Sequence, residues 1–281
     1  MFDEFTERVK GDFTHARLKA FWNHIMSVIN GQPTTLLSYD DVKEKLHIGG
    51  PIYRGVRTVE VNKIVGSLNR YHQFDRAFLP LEDQIANRWQ SIDRAFYKEV
   101  NLPPVVLYKV GEVYFVVDGH HRVSVAREQG QLALEAEVRE CSTKVNITPE
   151  LKLEDLEILG EKVEFLERTG LDRIRPKSKI KLTIPDGFDR MLEHIAVHRY
   201  FMGLDLQRDI SDDEAVSHWY DKVYKPIVTN IRRSGILINF PGKTEGDLYL
   251  WVLDRQRYLH DKGQKLVSPM KAASDFLDEV K

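Results

Sequence analysis

Two runs of β-branched and aromatic residues, Val105 to Lys109 and Val113 to Val117, are separated only by Val110-Gly111-Glu112. So short a glycine-containing connection signals a β-hairpin. The second run passes without a spacer into Asp118-Gly119-His120-His121-Arg122. Val123, Val125 and Ala126 then lead to Gly130, placed as the C′ glycine of a short helix. Leu134, Ala136 and Val138 alternate with Glu135, Glu137 and Arg139, the pattern of a half-buried strand. Hairpin, helix and strand in such close succession call for a sheet with a helix packed on it, which places the chain in the α/β (α+β) class.

The flanking segments extend this block. Val59 and Val61 share a face in a strand expected over Thr58 to Val65, and the polar stretch Ser67 to Pro80 follows. Leu81, Ile85, Trp89, Ile92 and Phe96 recur at helical spacing and predict an amphipathic helix of about five turns, after which Pro103-Pro104 resets the chain. Ahead of the block, Val9, Phe13, Ala16, Ala20, Phe21, Ile25 and Val28 predict a long helix over 5–30, stopped by Gly31 and Pro33. Ser38 with Asp41 forms a capping box for a short second helix ending near Gly49-Gly50-Pro51.

Beyond residue 148 the pattern is mostly helical. Leu153, Leu156, Leu159, Val163 and Leu166 form one stripe ended by Gly170, and Phe188, Met191, Leu192 and Ile195 form another. Ser211 with Glu214 caps a third helix carrying Val216, Trp219, Tyr220 and Val223, which Pro226 should kink or split. Ser268-Pro269 opens a final helix with Met270, Ala273 and Leu277. Lys177 to Ile184 is a candidate strand. The predicted organisation is a helical extension over 1–52, a mixed-sheet domain over 53–148 and a mostly helical domain over 149–281.

Charge and cysteine usage narrow the function classes. Lys and Arg number 41 against 43 Asp and Glu in 281 residues, so no overall basic field exists to hold nucleic acid or an anionic membrane. Cys141 is the sole cysteine, which rules out an intramolecular disulfide and a cysteine-based zinc site. The opening MFDEFTERVKGDF lacks the apolar core of a signal peptide, and the strongly apolar runs are short. A soluble, cytoplasmic protein without membrane contact is expected.

The helix after Gly119 places His120, His121 and Arg122 in its first turn. That placement is electrostatically backward, because a helix start already carries about half a positive charge. A bound phosphate would reverse the sign: free N–H groups, a glycine that lets the backbone come close and a forked guanidinium make an anion cradle. The alternative is that Asp118 is the N-cap and pairs with Arg122 four residues on.

In this context DGHHR resembles the signature box of the ParB/sulfiredoxin-like superfamily, over roughly residues 53 to 141. The resemblance implies a ParB/sulfiredoxin-like mixed-sheet core. It also implies a nucleoside triphosphate, CTP or ATP, held by Gly119 and Arg122 with the amides of His120 and His121 between them. Asn69-Arg70 stands where ParB-like proteins carry a second nucleotide-contacting segment, so Arg70 joins the cofactor-binding set, with plain surface exposure as its alternative. Sulfiredoxin-like reductases place a catalytic cysteine directly after the glycine, where this chain has His120. Partitioning ParB proteins use a glutamate and an arginine in place of His120 and His121, and follow with a helix-turn-helix that is not evident after Thr148. Free-serine kinases of the superfamily share the acidic-glycine-histidine version of the box. The segments FDRMLEHIAVHRY and DLYLWVLDRQRYL resemble an uncharacterised bacterial helical module that accompanies ParB-like domains.

Three readings follow. In the first, a nucleotide at the 118–122 turn controls assembly, such as homodimerisation, or a regulatory contact. In the second the protein is an NTPase or small-molecule kinase, with Asp118 or His120 catalytic, Asp118 alternatively holding Mg²⁺, and Arg122 clamping the donor. The third is a non-catalytic interaction module that touches DNA through Arg173, Arg175, Lys177, Lys179 and Lys181, a run that otherwise reads as a solvated linker. Glu193, His194 and His198 could ligate a metal from one helix face, and Trp219, Tyr220 and Tyr224 read as core or partner-facing aromatics.

Overall fold

The computed structural model describes residues 5–30, 34–70 and 72–261. The chain divides into two compact units, Met1–Leu156 and Glu157–Lys281.

The first unit is built on a mixed sheet of β1 (Leu37–Ser38), β2 (Pro51–Glu60), β3 (Ile64–Ser67), β4 (Val105–Val110), β5 (Val113–Asp118) and β6 (Ala133–Cys141), in the order β1-β3-β5-β4-β6-β2. The mixed α/β class expected from the alternating patterns is the one observed. β4 and β5 form the antiparallel hairpin, with Gly111 at φ +60° in its turn. β3 runs parallel to β5, β6 runs parallel to β4, and β2 closes the far edge antiparallel to β6.

α1 (Thr6–Asn30), α3 (Ala86–Tyr97) and α4 (His120–Glu128) supply the residues that cover one sheet face, where Phe13, Ala16, Ala20, Trp89 and Val123 join Leu107, Val116 and Val138 in one core. Burying a side chain the size of valine, leucine or phenylalanine stabilises by about 1.5–3 kcal/mol. Trp89 keeps its polar edge satisfied by donating to Ser124 Oγ at 2.8 Å. Leu107 and Tyr108 alternate on β4, so Tyr108 faces the other way. There it meets Tyr39 of α2 (Tyr39–Lys45) at 4.9 Å between ring centroids. Ser38 caps α2 by accepting from the Asp41 N–H at 3.3 Å, as the capping box predicts.

Three local expectations are corrected. The strand expected over Thr58 to Val65 is two strands, because a tight turn over Val61–Lys63 separates β2 from β3. A half-buried Arg127 holds that turn, donating to the Val61 and Ile64 carbonyls at 2.8 and 2.6 Å. The helix begun at Leu81 is shorter than predicted, since α3 opens at Ala86 and Leu81 is exposed. Just upstream the Asp75 carboxylate accepts the Leu79 N–H at 2.7 Å, and Phe74, Phe78 and Leu79 are buried in a non-helical turn. α1 spans its predicted length, but only Val9, Phe13, Ala16 and Ala20 of its stripe are buried, while Phe21 and Val28 face outward. The expected stop at Gly31 and Pro33 lies outside the described residues.

The second unit is helical: α5 (Asp155–Thr169), α6 (Leu171–Ile174), α7 (Gly187–Leu206), α8 (Asp212–Trp219), α9 (Lys225–Ser234) and α10 (Glu245–Asp261). Phe165, Phe188, Met191, Trp219, Tyr224 and Tyr249 are buried in it. Pro226 splits the helix that follows Ser211: a single wide π-turn over Tyr220–Tyr224 separates α8 from α9, because proline offers no N–H to the carbonyl four residues back. Lys177 to Ile184 forms no strand. Its buried Ile180 and Leu182 anchor an extended segment in which Thr183 bonds the Asp247 carboxylate through both N–H and hydroxyl, at 2.8 Å each. The helix expected after Ser268 lies outside the described residues. Among the described residues no helix is long and apolar enough to cross a membrane.

Candidate functional site

Asp118 ends β5, an interior strand of the sheet, and Gly119 reverses the chain into α4 with φ +99°. A side chain is excluded there, since a Cβ on Gly119 would lie 2.6 Å from Val105 Cγ1. Gly119 is the N-cap residue and has no side chain to offer. The first N–H groups of α4, on His120, His121 and Arg122, therefore have neither an intrahelical acceptor nor a cap. This is the arrangement that receives anions in the general physics of helix starts.

The two histidines occupy different environments. His120 is 5% exposed, with Nε2 2.7 Å from Ser67 Oγ, and it stacks on Phe74. Burial, helped by the nearby Arg70 charge, pushes its pKa down to about 4. His121 packs edge-on against Phe74, and its buried Nδ1 has no hydrogen-bond partner. Its pKa is also pushed down to about 4, by burial first and then by Arg70 and Arg88. No carboxylate is among the charges acting on it. Both rings are therefore neutral at pH 7, and the positive charge around them belongs to arginines and to the helix dipole.

Arg70 is exposed beside this turn. Its backbone N–H donates to Ser67 Oγ at 3.0 Å and its guanidinium reaches Gln73 at 3.1 Å. Arg122 is held elsewhere. It pairs with Asp118 at 2.7 Å and donates to the Pro103 carbonyl and, at 3.0 Å, to that of Pro104. Its side chain is 15% exposed against 73% for Asp118. The Asp118–Arg122 pair foreseen from spacing is present, but Asp118 is not the N-cap. Arg122 thus braces the turn against the chain entering β4.

The sequence reading missed Ser67, Phe74 and Arg88. Ser67 is the last residue of β3, whereas the sequence pattern ended the expected strand at Val65 and placed Ser67 in the polar stretch that follows. Arg88 sits next to Trp89 on α3, and only the packing of α3 beside α4 brings its charge to His121. No short-range signal marks either.

The remaining constellations are engaged with partners inside the second unit where described. His194 Nδ1 faces the Tyr249 hydroxyl at 3.3 Å, while His198 pairs with His218 at 2.8 Å, so the two histidines of α7 turn to different partners. No group of three or more His, Cys, Asp and Glu side chains among the described residues is placed to hold a metal. Arg173 is paired with Asp213 and Arg175 with Asp221. Trp219 and Tyr224 are core residues. Cys141 is buried against Tyr39, and burial pushes its thiol pKa up, which makes it an inert thiol.

No protein-family model and no curated protein matches this chain. Among solved structures, one of a Pnob8-like ParB-N domain in its C2221 crystal form aligns with 83% of this chain and 99% of its own. The identity is 11% and the TM-score 0.21. At that TM-score the alignment carries no argument about function.

Proposed function

We propose that the first unit binds a phosphorylated ligand, by class a nucleoside triphosphate such as CTP or ATP, at the start of α4. One observation carries this reading: the first turn of α4 is uncapped, and the charges bearing on His121 are Arg70 and Arg88 with no opposing carboxylate. A phosphate adds negative charge beyond that of Asp118, which is paired with Arg122, and accepts the free N–H groups. Gly119 allows the oxygen to approach the backbone, the amides of His120, His121 and Arg122 donate to it, and Arg70 forks onto it from the side. Arg122 in its present position supports the turn and would reach a ligand only by leaving Asp118. Mg²⁺ has less support here, since Asp118 is the carboxylate at hand and it is already paired with Arg122.

The chemistry fits a binding protein better than a kinase. His120 is buried and bonded to Ser67, which leaves Asp118 as the accessible candidate base. No observation favours DNA contact, because the arginines of the basic run are committed to Asp213 and Asp221. A regulatory role in a cytoplasmic setting, with the ligand controlling self-association, belongs to this proposal.

Thermal unfolding with inorganic pyrophosphate, ATP and CTP, each with and without Mg²⁺, tests it. A ligand at a hundred times its Kd should add about 2.7 kcal/mol of stability. The shift should shrink in Arg70→Ala and vanish in the Arg70→Ala/Arg88→Ala double variant. Absence of any shift across the panel overturns the reading.

A further inference from the structure

The second unit contains a cavity of about 890 Å³ whose walls are α7, the π-turn and α10. That volume lies in the range of small-molecule sites. Its lining is mostly apolar and includes Val197, Phe201, Val223 and Leu253. Val197 and Phe201 are 56% and 58% exposed, so both present apolar surface on the cavity's open side.

A fixed hydrogen-bond relay rises from the floor of this cavity. Trp219 Nε1 is a donor only, and it donates to the Tyr249 hydroxyl at 3.0 Å. The hydroxyl proton is then directed to the other neighbour, His194 Nδ1, at 3.3 Å. Trp219 and Tyr249 are fully buried, so water does not compete for these bonds. His194 is neutral because burial pushes its pKa down to about 4. A neutral imidazole that accepts at Nδ1 carries its proton on Nε2. Among the described residues no hydrogen bond to that Nε2–H occurs.

The charged lining is uneven in what it leaves available. Arg190 is tied to Asp254 by an ion pair. Arg257 acts electrostatically on His194 and has no ion pair among the described residues. A donor and a cation thus stand beside one apolar chamber, with Glu193 also on its lining.

We propose that this cavity binds a small molecule with an apolar, ring-sized body and one sp² oxygen, a ketone or a carboxylate, which accepts from His194 Nε2–H with Arg257 alongside. The apolar body lies against Phe201, Val197 and Leu253. The relay through Tyr249 and Trp219 positions the imidazole and holds its tautomer. This site is independent of the one at α4.

Isothermal titration of the full chain with 1-naphthoate, the neutral ketone 1-acetylnaphthalene and the cation 1-naphthylmethylammonium tests the proposal and separates the two oxygen sources. The two oxygen acceptors should bind with Kd on the order of 0.1 mM or below, and the cation at least tenfold more weakly. A tighter naphthoate, brought level with the ketone by Arg257→Gln, identifies a carboxylate site; equal affinities identify a carbonyl site. His194→Phe should weaken both at least tenfold. Because that change strands the Tyr249 hydroxyl, Val197→Trp is the companion variant: it fills the chamber from an exposed position and should abolish binding while the melting curve is unchanged. Three results overturn the proposal: no binding by any probe, a cation that binds as well as the ketone, or affinities that survive both variants.

Discussion

The starts of α4 and α8 solve the same electrostatic problem in opposite ways. α8 opens with Ser211, whose hydroxyl accepts the Glu214 N–H at 3.3 Å, and its first turn carries Asp212, Asp213 and Glu214. Its positive pole is answered by its own residues. α4 opens with a bare glycine and continues with two histidines and an arginine. Gly119 is required by the backbone and by Val105 whatever is bound, so the comparison teaches that the informative part of the α4 start is its imidazole and cationic first turn, where α8 carries acidic residues.

Acid should separate the two most strongly. His120 and His121 have folded pKa values depressed to about 4 from an ordinary 6.5. Between those limits the unfolded chain binds more protons, so stability present above pH 6.5 is lost as pH falls toward 4. For the buried His120 the loss is about 3 kcal/mol, an order-of-magnitude figure. Glu214 at α8 is held below its usual range by Arg208, so its contribution persists to lower pH and is lost only as the carboxylate protonates. Urea unfolding from pH 7.5 to 4 should therefore show a steep fall that is shallower in His120→Asn, and saturating pyrophosphate should blunt it. An equally steep fall in that variant would break the comparison.

Glycine geometry gives the next effect. Gly119→Ala combines a left-handed backbone with a contact of 2.6 Å to Val105, and should cost about 3 kcal/mol. Gly130 also has positive φ, +69°, but nothing lies within 4 Å of its would-be Cβ, so Gly130→Ala should cost about 1 kcal/mol. Denaturant midpoints of the two variants measure the difference. At α8, Ser211→Ala should cost about 1 kcal/mol through the lost cap, with no effect on phosphate binding.

The smallest change in stability carries the sharpest contrast. His121→Glu gives α4 the kind of counter-charge that α8 already has. The carboxylate gains from the helix start and from Arg70 and Arg88 but is desolvated and loses the ring contact with Phe74, so stability should change by less than about 1 kcal/mol, while the pyrophosphate-induced melting shift disappears. A variant that keeps the shift would show that the anion contacts some other part of the unit.

Much of this was legible from residue order, and the failures are as physical as the successes. The hairpin at Gly111, the caps at Ser38 and Ser211 and the break at Pro226 were readable because each is decided within a few residues. α1 shows the limit: Phe13 and Phe21 both fit a helical stripe, yet only the first is buried. Periodicity finds apolar faces but does not choose which one meets the sheet. Lys177 to Ile184 shows another, since the Thr183 N–H is met by the Asp247 side chain, 64 residues away in sequence, and not by a strand.

At the candidate site the division is the same. The sequence by itself determined that a strand turns at Gly119 into a helix with cationic and imidazole side chains in its first turn, because turn and helix chemistry are local. Only the tertiary structure decided that Arg122, paired with Asp118 as the spacing allowed, would also be drawn to the Pro103 and Pro104 carbonyls, and that Arg70 and Arg88 would stand around His121. Those encounters depend on β3 lying beside β5 and α3 beside α4. Coulomb and hydrogen-bond energies follow distance in space, which separation along the chain does not reveal.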